Sequence, residues 1–178
     1  MNSSINYTGG RSEASSSFKA AQSANCARCI ALLGSELLMT AVYHNAEIRF
    51  RYPDGWELVE SPSEEGLIVS LQSPGPMFLF LTLYDNEWQP EEVANRALDA
   101  MREDYPNLDS CPVSDTIADL PSMGHDVNFF CLDLTNTCWI RAFSSSRRTV
   151  LIFAQTNDIE LEADEQVFQA ICDSIETM

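Results

Sequence analysis

Lysine is almost absent from this 178-residue chain: it occurs once, at Lys19. Arginine brings the basic residues to only 10, against 27 acidic ones, so the formal net charge is -17 at pH 7. A surface this negative repels phosphate groups, which argues against nucleic acid and anionic membranes as partners. It favours a protein partner with a basic surface, a divalent cation, or plain solvation.

Long apolar runs and glycine-rich loops are also scarce. No stretch approaches the roughly 20 apolar residues that a membrane helix needs, so we expect no membrane span. The 7 glycines form no group in front of a helix, which argues against a phosphate-binding loop. Neither a G-x-S-x-G nor an H-E-x-x-H motif is present. The sequence therefore predicts no cofactor and no catalytic residue.

Histidine is rare as well: only His44 and His125 are available for acid–base or metal chemistry. His125 precedes Asp126 at the predicted start of a strand. A hydrolase-type enzyme would use it as a base oriented by a carboxylate, with Asp115 or Asp119 nearby. The ordinary interpretation is a polar residue at a loop-to-strand junction. The enzyme is therefore kept as an alternative function.

The 6 cysteines are scattered, and most lie in apolar patterns that are typical of small buried side chains. Cys26 and Cys29 have redox-motif spacing, but no predicted strand precedes them and no second pair completes a zinc site. Cys131 and Cys138 are expected to be buried thiols rather than a disulfide. Scattered cysteines without a predicted disulfide favour a reduced, cytoplasmic compartment, with export as the alternative.

Four carboxylates stand close together before and within the last predicted helix: Asp158, Glu160, Glu162 and Asp164. Hard divalent cations prefer such oxygen ligands, although the glycine of an EF-hand loop is missing. A divalent-cation-responsive accessory protein is thus a second alternative function. The ordinary interpretation is a solvated acidic segment that leads into a helix.

The candidate partner-binding residues are Arg141, Arg147, Arg148 and His125. Arg141 lies between Trp139 and Phe143 on a predicted apolar strand face, where it would stack on an aromatic ring or pair with a carboxylate. Arg147 and Arg148 are the only adjacent basic pair in the chain. At the tip of a predicted hairpin they would meet an anionic group on a partner, or form an ordinary polar turn.

Residues 1–41 are predicted to be a flexible N-terminal leader. Residues 26–43, which extend just beyond it, can form one short helix. The first 38 residues carry three basic and two acidic side chains, whereas 39–178 carry seven and 25. Because the composition changes close to Met39, we hypothesise that Met39 is the natural start and that the leader is dispensable.

A regular pattern follows the leader. Ile48, Phe50 and Tyr52 share one face of a half-buried strand, with charged residues on the other face. Pro53-Asp54-Gly55 has the residues of a tight turn, so residues 56–60 are predicted to return as the second strand of a hairpin.

The remaining predicted elements are groups of strands, each group followed by a helix. Strands are predicted at 67–72, 77–84, 113–118, 125–134, 137–144 and 148–156, and helices at 90–105 and 162–176. Thr135-Asn136 is taken as the turn of one hairpin, whose two apolar faces predict cover on both sides. The fold class is α+β: an α/β/α sandwich with a mainly antiparallel sheet of six to eight strands flanked by helices.

This order of elements, with the run Phe50-Arg51-Tyr52-Pro53-Asp54-Gly55-Trp56 in the first hairpin, resembles the PsbP-like superfamily. The Pro90-led helix, the strands around Phe130 and Trp139 and the final acidic helix also carry the resemblance, which covers residues 42–178. It implies an α/β/α sandwich that acts as a binding or accessory module, without common catalytic residues. We therefore expect a non-enzymatic protein-binding or accessory module.

Overall fold

The computed structural model describes residues 39–85, 88–146 and 148–178. Their strands are β1 (Ala41–His44), β2 (Ile48–Tyr52), β3 (Glu57–Ser63), β4 (Gly66–Gln72), β5 (Phe78–Tyr84), β6 (Asp109–Ile117), β7 (Leu120–Cys131), β8 (Leu134–Ser144), β9 (Thr149–Asn157) and β10 (Glu176–Thr177). The helices are α1 (Pro90–Asp104) and α2 (Leu161–Asp173). Among these residues, neither helix has the length and apolar character that crossing a membrane requires.

Seven strands form one antiparallel sheet in the order β3-β4-β5-β9-β8-β7-β6. The two apolar strands β5 and β9 lie side by side in its middle, with Leu81 opposite Ile152. Strands that are apolar on both faces need cover on both sides, which explains their central position. The predicted α+β class and the mainly antiparallel sheet are confirmed.

The two helices cover opposite faces of this sheet. Val93, Leu98 and Met101 of α1 share a buried cluster with Phe78 and Phe153. On the other face, Phe168 and Ile171 of α2 pack with Leu81, Trp139 and Ile152. Alternation along each strand divides its side chains between the two clusters. The predicted sandwich is therefore present, with a second small sheet beside α2.

That small sheet corrects the predicted first hairpin. Strand β2 pairs with β1 and β10, whereas β3 pairs with β4 in the large sheet. The Pro53-Asp54-Gly55 turn therefore leads from one sheet to the other, with Gly55 at a φ of 85°. A tight turn needs the same residues in both situations, so the local pattern could not distinguish them. The predicted helix at 26–43 is also wrong at its end, because Met39 and Thr40 are not helical and Ala41 begins β1; residues 26–38 lie outside the described residues.

The hairpin of β7 and β8 differs from the prediction in its turn. Leu132 and Asp133, not Thr135-Asn136, are the two turn residues, and Cys131 pairs with Leu134. Both have positive φ, 52° and 62°, as a type I′ turn requires. The predicted division of side chains between the two sheet faces still holds for Trp139 and the other core residues of β8, which are buried. The end of the hairpin, however, extends beyond α2, so it is not covered on both sides.

Both edges of the large sheet carry a proline. Pro62 lies in β3 and Pro112 in β6, and neither supplies a backbone donor. In β6, the side chain of Asp115 accepts a hydrogen bond from the backbone N–H of Thr116 at 2.7 Å. These features are typical of sheet edges that are protected against pairing with another strand.

The described cysteines are all free thiols: Cys111, Cys131, Cys138 and Cys172. Cys138 and Cys172 are buried, and burial raises the pKa of each thiol, so both are protonated and unreactive at neutral pH. Cys131 is half-buried and Cys111 is exposed. The prediction of a buried thiol is confirmed at Cys138, whereas Cys131 is a free thiol that is only half-buried. Cys26 and Cys29 lie outside the described residues.

Candidate docking surface

Three large apolar side chains face solvent at one end of the large sheet. Phe130, Leu132 and Ile159 are 69%, 71% and 64% exposed. Phe130 pairs with Thr135, whose carbonyl oxygen accepts a hydrogen bond from the backbone N–H of Asp158 at 2.9 Å, so the β9–α2 loop lies beside the β7–β8 turn. We call Phe130, Leu132 and Ile159 the apolar tip.

Leu132 is an unusual residue at its position. The first turn residue of a type I′ hairpin needs a positive φ, which Asn, Asp and Gly tolerate best. A leucine with a φ of 52° pays a steric cost of roughly 1 kcal/mol, and its exposed side chain recovers little of it through burial. Neither local conformation nor core packing therefore accounts for a leucine here.

The turn that carries Leu132 is braced from within the hairpin. The side-chain amide of Asn136 donates hydrogen bonds to the carbonyl oxygens of Cys131 and Leu134, at 3.4 and 3.2 Å. Phe129 is buried on the α1 face, where its ring centre lies 4.2 Å from that of Tyr105. The apolar tip is thus attached to an anchored hairpin, which lowers the entropy cost of binding to it.

The apolar tip has carboxylates around it. Asp133 is exposed in the turn itself, and Asp158 and Glu160 flank Ile159. Residues 149–178 contain no lysine or arginine. An apolar surface with a negative rim complements a protein segment that combines apolar and basic side chains.

The acidic segment itself does not converge on one point. Asp158, Glu160 and Glu162 are exposed, whereas Asp164 is buried in the first turn of α2. In the described ranges, no three His, Cys, Asp or Glu side chains are grouped as a metal ion requires. Asp164 accepts a hydrogen bond from the hydroxyl group of Thr156 instead. Burial, together with the charge of Glu160, raises the pKa of Asp164 to about 6, although the hydrogen bond from Thr156 acts in the opposite direction.

His125 lies on the α1 face of β7, away from the carboxylates that the sequence suggested. Its Nε2 is 2.9 Å from Oδ1 of Asn95. Asp115 pairs with Ser122, three positions along the ladder from His125, which is roughly 10 Å, and Asp119 lies farther away, in the β6–β7 turn. The enzyme alternative expected Asp115 or Asp119 near His125, and the structure does not bring either of them to it.

The protonation of His125 follows from its surroundings. Burial lowers its pKa, and the positive charges of Arg102 and Arg141 lower it further, so the imidazole is neutral at pH 7. A neutral ring whose Nε2 carries the proton donates a hydrogen bond to the Asn95 amide oxygen. This is the arrangement of a polar residue that helps to hold α1 on the sheet.

Arg141 makes both contacts that the sequence left open. Its guanidinium carbon lies 5.8 Å from the ring centre of Phe168, which stacks on Trp139 at 5.0 Å. Nη2 of Arg141 is 2.8 Å from Oδ1 of Asp126, an ion pair by distance although not aligned as a hydrogen bond. Nη1 donates to the carbonyl oxygen of Ile140 at 2.9 Å. With only 6% of its surface exposed, Arg141 is held inside the sheet rather than presented to a partner.

Arg148 is also engaged within the chain. Its Nε lies 2.6 Å from Oε2 of Glu47, and its Nη1 contacts Asp85. Glu47 precedes β2 and Asp85 follows β5, so Arg148 connects the two sheets. We call Arg148, Glu47 and Asp85 the arginine clamp. Arg147 lies outside the described residues.

The apolar tip was not identified in the sequence. Placing the β7–β8 turn three residues too late assigned Phe130 and Leu132 to a covered strand face. One signal was available: Leu132-Asp133 lies between two strands of alternating pattern, and Asp tolerates positive φ. Ile159, a single apolar residue in an acidic segment before a helix, was a second signal.

No family model matches the chain, and no curated protein is significantly similar to it in sequence. Solved structures are similar in fold. Cyanobacterial PsbP (CyanoP) from Synechocystis sp. PCC 6803 superposes with a TM-score of 0.58 at 9% sequence identity, covering 84% of this chain and 99% of that one.

LpqN from Mycobacterium tuberculosis, a protein involved in cell envelope biogenesis, superposes with a TM-score of 0.53 at 13% identity. The match covers 78% of this chain and 90% of LpqN. At these identities the likeness concerns the fold and not the activity. The antiparallel sheet, the helices on its two faces and the likeness to CyanoP confirm the expected architecture: the chain has the PsbP-like fold.

Proposed function

We propose that this protein is a non-enzymatic binding module that docks a protein partner on the apolar tip. The observation that carries the proposal is the exposure of Phe130 and Leu132 on an anchored hairpin end, with the exposed Ile159 on the neighbouring β9–α2 loop. Exposed apolar residues that adjoin one another, unlike scattered single ones, are typical of interaction sites. The partner segment is expected to combine apolar side chains with lysine or arginine, because carboxylates surround the tip.

The sheet edges support the same choice of surface. A partner strand added to β6 would meet Pro112, which has no backbone donor, and the N–H of Thr116, which is already bonded to Asp115. On β3, Pro62 removes a donor from the other edge. Binding through an edge of the large sheet is therefore disfavoured, which favours a loop end as the docking surface.

The charged candidates contribute less to this function. Arg141 and Arg148 are each paired with carboxylates of the same chain. A partner would have to replace these intramolecular pairs, at a cost in stability, before it could use either charge. The net charge of -17 acts over a longer range and raises the association rate with a basic partner.

The test compares three forms of the full chain: wild type, the tip variant Phe130→Thr/Leu132→Asn, and the control variant Val42→Thr/Val59→Thr. Val42 and Val59 are also exposed, at 47% and 48%, but lie outside the tip. Peptides are selected from a displayed random library on the wild-type protein at physiological salt, and their affinities are measured with all three forms. We expect the selected peptides to contain both basic and apolar residues.

The tip variant should bind these peptides at least about 10-fold more weakly, as expected when interface anchors are removed, and the control should bind like the wild type. Equal affinity of the tip variant and the wild type would disprove the docking role of the tip. Substrate turnover that His125→Ala abolishes would instead support the enzyme, and metal-dependent binding that Asp158→Asn/Glu160→Gln abolishes would support the cation-responsive protein.

A further inference from the structure

The β9–α2 loop, which carries Ile159 of the apolar tip, is closed at its base by a buried side chain. Thr156 lies near the end of β9, and Asp164 lies in the first turn of α2. The hydroxyl group of Thr156 donates a hydrogen bond to the carboxyl group of Asp164. The backbone N–H of Asp164 donates to the carbonyl oxygen of Glu160 at 2.9 Å. Asp164 therefore connects the strand before the loop with the last residue of the loop.

The position of this loop decides whether the apolar tip is complete. The backbone N–H of Asp158 donates to the carbonyl oxygen of Thr135 in the β7–β8 hairpin at 2.9 Å. The next N–H, that of Ile159, donates to Oδ1 of Asn157 at 3.0 Å. Because Thr135 pairs with Phe130, the bond from Asp158 holds the loop beside the hairpin end. A loop that leaves Thr135 takes Ile159 away from the rest of the tip.

The carboxyl group of Asp164 is buried without a cation beside it. Only 7% of the residue is exposed. Strands β5 and β9 and residues 73–77 of the β4–β5 loop contain no charged side chain. On β8 the charged residue is Arg141, four positions from Thr137, which pairs with Thr156. Four positions along a strand are roughly 13 Å, too far for an ion pair with Asp164.

The cations of β2 lie at the other end of α2. There the backbone N–H of Arg51 donates to Oγ of Ser174 at 2.8 Å, and Arg49 pairs with Glu176. On α2 itself the neighbouring charges are carboxylates, and that of Glu160 acts on Asp164. The charged groups around Asp164 therefore oppose its ionisation or lie too far away to favour it.

Ionisation of Asp164 is costly as long as the loop stays closed. Burial, together with the charge of Glu160, holds its pKa at about 6 against the effect of the hydrogen bond from Thr156. In an open loop, water reaches the carboxyl group and its pKa returns towards the ordinary value of 3.8. Because these values are roughly two units apart, ionisation favours the open loop by a factor of up to about 100.

We infer that protonation of Asp164 holds the β9–α2 loop on the β7–β8 hairpin and thereby completes the apolar tip. The tip is whole in mildly acidic solution and loses Ile159 as the pH rises to neutrality and above. The regulation of partner binding that follows from this switch rests on the docking role proposed for the tip. A partner that uses Ile159 binds more tightly at the lower pH.

The test follows the backbone amide of Asp158 in the full chain by NMR, as hydrogen exchange corrected for its intrinsic dependence on pH. In the wild type, protection should fall about 10-fold between pH 5 and pH 7.5, because the bond to Thr135 is lost when the loop opens. Asp164→Asn stays neutral and still accepts a hydrogen bond from Thr156, so its protection should remain level. Glu165→Gln removes an exposed carboxylate next to Asp164 and is the matched control, which should behave like the wild type.

A further variant changes the pH at which the loop opens. Glu160→Gln removes the neighbouring charge that opposes ionisation of Asp164. The drop in the protection of Asp158 should then move to lower pH. A purely structural role of Asp164 would leave the position of this drop unchanged.

Binding is measured at both pH values with a selected peptide that contains no histidine, aspartate or glutamate. The dissociation constant of the wild type and of Glu165→Gln should be at least about 3-fold larger at pH 7.5, whereas Asp164→Asn should keep its affinity. Protection of Asp158 that is constant with pH in the wild type, or that changes equally in Asp164→Asn, overturns the inference.

The remaining outcomes separate the switch from the proposed function. Protection that changes with pH while the affinity stays constant overturns the regulation of binding. Protection that changes with pH in a protein whose tip binds no peptide supports the loop switch and counts against the proposed function alone.

Discussion

At one end of the seven-stranded sheet, charged side chains pair with one another; at the other end, apolar side chains face solvent. The arginine clamp joins both sheets through Arg148, and nearby the backbone N–H of Met178 donates to the carbonyl oxygen of Glu47 at 3.0 Å. The opposite end has exposed Phe130 and Leu132 and no comparable cross-link between the sheets among the contacts described above. The charged cross-link between the two sheets thus lies at one end of the large sheet, and the exposed apolar side chains lie at the other.

The largest effect is expected where the clamp is broken. Arg148→Ala removes the cation that pairs with both the partly buried Glu47 and the more exposed Asp85. Because the two carboxylates then lack their positive partner, the free energy of unfolding should fall by about 2 kcal/mol. Urea denaturation measures the change. The matched control is Arg49→Ala, whose pair with Glu176 is more exposed, and a change of at most about 0.5 kcal/mol is expected there. Equal losses in the two variants would show that the clamp is an ordinary surface pair.

A smaller effect, of opposite sign, is expected at Asp164 near the tip. Its pKa of about 6 lies above the ordinary value of 3.8 for an aspartate. Between pH 3.8 and 6 the folded state therefore holds a proton that the unfolded state has released. Its contribution is therefore most favourable below pH 4 and is lost as the pH rises through 6.

Asp164→Asn keeps an acceptor for Thr156 and removes the buried charge, so the variant should be about 1 kcal/mol more stable than wild type at pH 8. The difference should shrink as the pH falls from 7 to 4, as measured by urea denaturation across this range. A difference that is constant over these pH values would mean that Asp164 titrates normally.

The smallest effect is expected in the turn of the tip. Leu132→Asn gives the positive φ to a residue that tolerates it and should stabilise the fold by about 0.5–1 kcal/mol. The control is the matching turn at the clamp end, where Ala118 and Asp119 have φ values of 54° and 60°. Ala118 is partly buried against the core, so Ala118→Asn should gain less. Thermal unfolding of both variants checks this, and a destabilised Leu132→Asn would show that the leucine packs within the fold.

The elements themselves could be predicted from the sequence because each depends on a local pattern. The apolar run of β5 and the proline that begins α1 are examples, and both are found within one or two residues of the predicted positions. Pairing was harder. Whether Pro53-Asp54-Gly55 closes a hairpin or connects two sheets depends on β1 and β10, which are distant in sequence.

The candidate site was harder still, because exposure is a property of the assembled fold. Phe129 and Phe130 are adjacent and chemically identical, yet one is 4% and the other 69% exposed. The difference arises because α1 extends over Phe129 through Tyr105, whereas α2 begins too far along the sheet to cover Phe130. No local pattern in the sequence reports how far a helix reaches across a sheet.

The pairing of β5 with β9 also has a consequence during synthesis of the chain, because the two strands are completed at different times. Strand β5 ends at Tyr84 and β9 ends at Asn157, so 73 residues separate the completion of the two. At roughly 5–20 residues per second, a growing chain displays the apolar strand β5 for roughly 4–15 s before its neighbour exists. During that time only one edge of β5 is paired, by β4. The protein therefore passes through a stage in which its most apolar strand has one open edge, and this stage, rather than the finished sheet, is when a chaperone would be of use.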